Sequence, residues 1–287
     1  MFLHAFKRRI VKCVGLTLLP LLPLFMHAIG GLGSMVWAQW DELRHAAAVI
    51  GTALYVGVQP RYWVHTVRGA FARQVVAIGV ESVGLVCGVA VFVGITVVVQ
   101  LAFWVEQAGQ SQMLGPLLMA VVARELSPVL VDIVVIVRSG SVMATELGIM
   151  RIDGRVDALE AQGMSPFIYL VMPRILAAAV STFCLTIIFI LVALASGYLF
   201  GAMAGQGSRD LMLLVDTVSR AVRPKDVLAI LSKNVLPALF AGASCCIGGL
   251  DVSGTLTEIP YATQRALVRS IVGLFVISTV VSFLTYL

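Results

Sequence analysis

The sequence predicts an all-α integral membrane protein with an N-terminal interfacial or re-entrant element, about five transmembrane helices and a short cytoplasmic helix. Three observations carry that expectation. Of the 287 residues 60% are hydrophobic and only 12% charged, and the mean hydropathy is +1.00. A soluble domain carries about 25% charged residues, so this chain lacks the polar surface to cover itself in water. Several apolar runs also reach the roughly 20 residues that cross a bilayer as a helix. Finally, much of the charge is gathered in one stretch, Arg124 to Arg174, with hydrocarbon on either side.

The first 12 residues hold Lys7, Arg8, Arg9 and Lys12 ahead of an apolar run from Val14 to Trp37. Pro20, Pro23, Gly30, Gly31 and Gly33 interrupt that run, which is long for a signal peptide and has no convincing small-residue cleavage site. Basic residues flank it on both sides, and both flanks prefer the cytoplasm. A re-entrant or interfacial segment satisfies this; an additional span is the rival. Residues 41–74 mix Arg with Tyr62 and Trp63 among apolar positions, a composition suited to the headgroup layer. Residues 1–74 are therefore taken as one N-terminal region and 75–287 as the membrane domain.

Spans are expected at 75–105, 113–137, 173–203, 227–249 and 270–287. The first carries Gly79, Gly84, Gly88 and Gly94, small residues that let membrane helices approach. A surface helix is expected over 204–225 and polar loops over 106–112 and 251–269. Five spans put 138–172 and 251–269 on the side of the N-terminus. The five cysteines have no CxxC spacing and read as small core residues. The net charge of +5 fits loops beside anionic lipid rather than nucleic acid, since no basic patch is interleaved with aromatics. No metal site is expected.

The central stretch carries the chemistry. A charge at mid-bilayer costs a few kcal/mol and must face the bundle interior or a wet cavity. Arg124, Glu125 and Asp132 all fall in the second span. Glu125 and Asp132 are seven residues apart and share a helix face. Pro128 cannot donate an N–H, which frees the carbonyl of Arg124 and kinks the helix. Such a helix lines a cavity; alternatively, the charges stitch helices together, and the two roles are compatible. Further on, Ile152, Val156 and Leu159 form an apolar stripe at i, i+4 and i+7. Asp153, Arg155, Asp157 and Glu160 cover the other faces of this short helix. Gly163 is placed to stop it in a left-handed turn, and Pro166 prevents its continuation. The helix lies on the membrane or enters the groove of a soluble partner.

The motifs Arg-Glu-Leu-x-Pro (124–128), Arg138 with Gly140, Glu-Leu-Gly (146–148), Met-Arg (150–151), Asp-Ala-Leu-Glu (157–160), Gly-Met-Ser-Pro (163–166) and Tyr-Leu-Val-x-Pro-Arg (169–174) resemble those of the MlaE/YrbE-type permeases of MCE-associated ABC transporters. The resemblance runs over about residues 68–287. It implies a permease dimer (two copies of this subunit) above a cytoplasmic ABC ATPase dimer. It also implies a periplasmic MCE-domain protein on the other side and a lipid, usually phospholipid, as cargo. It places the chain in a bacterial inner membrane. By resemblance the 152–163 helix is the coupling helix, with Ile152, Arg155, Val156, Asp157, Leu159 and Glu160 toward the ATPase. Arg124 and Glu125 match lipid-cavity positions; Val97, Trp104 and Val105 supply its apolar wall, and Asp132 adds an acid. Ser127 replaces a usual Gly, Glu81 lies in a normally apolar stretch, and Ile136-Val137 replace a common Ala-Gly.

No GxxxxGK[ST] loop occurs, so ATP and Mg are expected on a partner and no cofactor in this chain. The reading that follows is a non-catalytic permease subunit moving lipid at the cost of a partner's ATP. The alternative is an ion-coupled secondary transporter using Glu125, Asp132 and Glu81, against which stands the absence of an inverted repeat. An intramembrane enzyme is disfavoured: the four histidines lie in the first quarter, and HExxH and GxSxG are absent.

Overall fold

A computed structural model describes residues 46–107, 109, 117–203, 224–252 and 254–286. The run from Val14 to Trp37 and most of the surface helix expected over 204–225 lie outside those residues. Everything described from Val49 onward belongs to one compact unit. Among the described residues the secondary structure is helical.

Helix α1, Ala46–Val58, is apolar but too short to span. Helix α2 runs without a break from His65 to Val105. At 1.5 Å per residue it reaches about 60 Å, twice the hydrocarbon thickness, so its basic first turns with Arg68 and Arg73 extend past the bilayer core. The expected boundary at residue 75 is therefore not a helix end. Two wide π-turns, Val76–Val80 and Gly94–Val98, interrupt its α geometry. Helix α3 covers 117–152 and contains the π segments Met119–Leu126 and Ile136–Gly140. It too outruns expectation: the stretch after Arg138 stays helical to Ile152.

Helix α4, Arg155–Ala161, follows a left-handed Gly154 (φ 70°). The sequence had Gly163 as its stop, and the backbone shows why. The Gly163 N–H bonds to Glu160 O at 2.9 Å and the Met164 N–H to Leu159 O at 3.1 Å. This is the paired closure of a Schellman turn, with Gly163 at φ 75°. Helix α5 spans Phe167–Gly201, α6 Pro224–Leu250 and α7 Ile259–Tyr286. The last helix begins at Ile259, 11 residues before the expected span at 270, and Pro260 sits in its first turn, where a missing N–H costs nothing.

Four helices (α2, α5, α6, α7) are long and apolar enough to cross a membrane; α3, with its charges, runs beside them, parallel to α6 and antiparallel to the others. The chain is thus a multi-pass membrane protein. One pole gathers the end of α3, the end of α6 and the start of α7: a Cβ on Gly148 would meet Ile259 and the Gly249 carbonyl at ordinary contact distance. Helix α1 joins the same pole, where Val49, Ile50 and Ala53 pack with Leu147, Val171 and Ile175. Helices α5 and α6 form the centre, with Leu185, Phe189 and Ala193 in the main apolar cluster.

Candidate functional site

The site grows from a defect in helix α3. In the π segment Met119–Leu126 the backbone N–H of Ser127 reaches back to Val122 O, and its Oγ donates to the same oxygen at 2.6 Å. Ser127, where the resemblance expects Gly, thus fastens the wide turn to itself. Pro128 then has no N–H for the Arg124 carbonyl. Lys233 of α6 approaches that carbonyl, with Nζ donating at 3.5 Å, and donates to Glu125 Oε1 at 2.5 Å. Pro237 repeats the device on α6, sparing the carbonyl of Lys233 itself.

Lys233 is buried while the Glu125 side chain is 41% exposed. The pair therefore presents its acidic end outward and hides its ammonium. Each charge is neutralised by its neighbour, which is the condition for keeping either at membrane depth. Sequence reasoning passed over Lys233. The signal was there: a lone Lys inside an apolar span is a functional-site hypothesis by default.

Asp132 lies elsewhere on the same helix. It is 1% exposed, and neither carboxylate oxygen has a hydrogen-bond partner among the described residues. It borders a cavity of about 10 Å³ with Met143, Thr182 and Gly242, room for one water. The expected acid on an open cavity wall is thus enclosed within the subunit's own bundle. Nearby, Asn234 donates through Nδ2 to Thr186 Oγ1, which in turn donates to Thr182 O at 2.9 Å. Glu81, by contrast, is paired: Arg138 meets it at 3.6 Å across α2 and α3.

That pair sets the register of two antiparallel helices. Stepping back along α3 from Arg138 to Glu125 takes α2 from Glu81 to about Gly94, level with Val97. Val97 packs against the apolar core at that depth. Trp104 and Val105 lie further along α2, toward the pole away from α4. Trp104 is 61% exposed and Val105 buried, so only the former is available to a ligand or a second copy.

The expected coupling residues divide between two helices. Ile152 closes α3, and Gly154 separates it from Val156 and Leu159 on α4. Val156 is buried within the chain, whereas Leu159 is half-buried. Asp157 is tied to Arg151 at 2.5 Å and Arg155 to Asp153 at 3.5 Å; Glu160 is exposed.

Comparison with known proteins gives a consistent picture. The family model described as permease MlaE matches residues 71–284. Over 211 residues the chain is 30% identical to the chloroplastic protein trigalactosyldiacylglycerol 1 of Arabidopsis thaliana, covering 73% of this chain and 59% of that protein. It thus spans less than two thirds of the Arabidopsis relative. A probable ABC transporter permease protein of Synechocystis sp. is 28% identical over 229 residues, 78% of this chain and 86% of its own length. One from Rickettsia prowazekii is 27% identical over 198 residues, 69% and 76% respectively.

Proposed function

This chain belongs to the MlaE permease family, and from that premise we propose that it is the membrane subunit of an ATP-driven transporter that moves phospholipid between a bacterial inner membrane and a periplasmic MCE protein. Two copies enclose the lipid, and a cytoplasmic ATPase dimer, holding ATP and Mg, works on them through α4. The observation that carries the reading is the Lys233–Glu125 pair beside Arg124. It is a neutralised polar spot in an apolar bundle, with its carboxylate opening outward. An amphiphile matches such a place, with a headgroup near Arg124 and Glu125 and tails along Val97 and the exposed Trp104. Support for lipid as cargo comes from the Arabidopsis relative, which is named for a galactolipid.

The orientation follows from charge. Arg61, Arg68, Arg73, Arg151, Arg155, Arg265 and Arg269 lie at or near the α4 pole, and cytoplasmic flanks carry such an excess. In sequence, residues 106–112, after α2, and 204–226, after α5, carry four Arg or Lys between them.

The ion-coupled alternative draws on enclosed Asp132. One experiment separates the two. Purified chain, with and without its co-expressed ATPase, is reconstituted in liposomes with labelled phospholipid. Transfer that needs the ATPase and ATP is expected. Transfer driven by an imposed proton or sodium gradient without the ATPase would favour the alternative. In the same preparation Glu125→Gln is expected to lower co-purified phospholipid by several-fold, read by mass spectrometry; unaltered lipid content removes Glu125 from the site.

A further inference from the structure

Away from Lys233, at the α4 pole, helices α2, α3, α4 and α5 surround a cavity of about 420 Å³ lined by Arg73, Gln74, Glu146, Arg155, Tyr169 and Arg174 among others. Three arginines and one glutamate line it, and Arg155 also pairs with Asp153 at 3.5 Å. Arg174 is 4% exposed and donates through Nη2 to Glu146 Oε2 at 2.9 Å. Its Nε and Nη1 are buried with no hydrogen-bond partner among the described residues. A guanidinium offers five N–H donors in a planar fork that matches carboxylate and phosphate oxygens. Buried donors left without acceptors are costly, so the arrangement calls for an acceptor-rich, anionic guest. Arg73 and Arg155 are exposed and supply charge at the rim.

The chemistry does not stop at the anion. Gln74 and Glu146 also line a second cavity, of about 70 Å³, which continues between α2 and α3 past Ala77, Ile78, Val142 and Met143 to Ser139 and the Glu81–Arg138 pair. An anion-binding mouth that opens between two spans whose outer faces expose Val80 and Val142 suits the headgroup of a lipid rather than a free ion.

We propose that this pocket binds the phosphate of an anionic phospholipid from the leaflet beside α4, with its acyl chains against the exposed apolar side chains of α2 and α3, such as Val80 and Val142. Naming that leaflet cytoplasmic rests on the orientation proposed above; the anion site itself does not. Because Arg155 belongs to α4, a bound headgroup ties that helix to the spans.

The full chain is placed in nanodiscs of phosphatidylcholine doped with a diazirine-bearing phosphatidylglycerol, and crosslinked peptides are mapped. Labelling is expected within residues 70–81 and 138–150. The variant Arg73→Gln/Arg155→Gln changes exposed side chains only and is expected to keep the wild-type melting temperature. It is expected to lose that labelling at least about tenfold, since each charge-assisted bond is worth at least that much. Phosphatidylcholine carrying the same diazirine is expected to label weakly there, and inorganic phosphate in excess is expected not to compete. Equal labelling by the two lipids, or unchanged labelling of the double variant, overturns the site. Displacement by inorganic phosphate overturns the lipid and leaves a free-phosphate pocket in its place. Labelling around Glu125 and Lys233 is read separately, so failure of that central site is distinguishable from failure of this one.

Discussion

A lysine held at 2% exposure among helices is tolerable only while something answers its charge, and Glu125 does so from the neighbouring helix. The two partners are not equivalent. Removing Lys233 leaves a carboxylate that is already part-exposed and can hydrate. Removing Glu125 leaves an ammonium enclosed without its carboxylate. Glu125→Leu is therefore expected to cost about 3 kcal/mol and Lys233→Met less. The double variant is expected to lie closer to wild type than Glu125→Leu, because packed apolar groups replace a buried pair well. Thermal melts of the four proteins in detergent decide it; equal losses for the two single variants would show that the exposure difference is unimportant. Arg124 and Glu125 were legible because charges stand out in an apolar run. Lys233 stands out in the same way, but its pairing was not legible, because 108 residues separate it from Glu125 and only the fold closes that distance.

Among the elements, the glycines of α2 look alike in sequence and are not alike in the helix. Gly84 and Gly88 face open space, whereas a Cβ on Gly94 would collide with the Ala193 carbonyl and Ser196 of α5. Gly197 answers from the other side, with its missing Cβ directed at Val98. The two helices therefore cross where each has given up a side chain, the small-residue contact that packs helices in lipid. Gly94→Ala is expected to destabilise by about 1–3 kcal/mol through overpacking. Gly84→Ala is expected to be neutral or to stabilise by about 0.5–1 kcal/mol through helix propensity. Melting temperatures of both variants test the assignment, and a harmless Gly94→Ala would mean that α2 and α5 do not cross there. The same contact lies at the depth of Glu125, so it fixes the wall against which the site is built.

At the scale of the whole molecule, helix α4 stands at the pole where α3, α5, α6 and α7 meet, and its shape is set from both ends by left-handed glycines. Val156 turns into the chain and holds the helix down. Leu159 and the exposed Glu160 remain for a partner, with Arg155 and Asp157 paired to Asp153 and Arg151 at the rim. Leu159→Asp is expected to cut co-purification of the ATPase by about tenfold or more, as an apolar anchor in a groove becomes a desolvated charge. The subunit's own melting temperature is expected to change little. Wild-type recovery of the ATPase would place docking elsewhere on this pole.

The sequence alone determined the class of protein, the position of its polar stretch and the stop of α4 at Gly163, because these follow from local chemistry. Hydrocarbon-length runs, a charge in oil and a left-handed glycine each act within a few residues of themselves. Helix lengths were less legible. A helix continues past the membrane wherever the backbone allows, and hydropathy marks the bilayer rather than the hydrogen-bond ladder, as α2 and α3 show. What only the tertiary structure decided is which polar groups meet. Lys233 finds Glu125, Arg138 finds Glu81 and Arg174 finds Glu146, whereas Asp132 is enclosed with no such partner among the described residues. In a low-dielectric interior the worth of a charge is set by its neighbours, and those neighbours come from helices far apart along the chain.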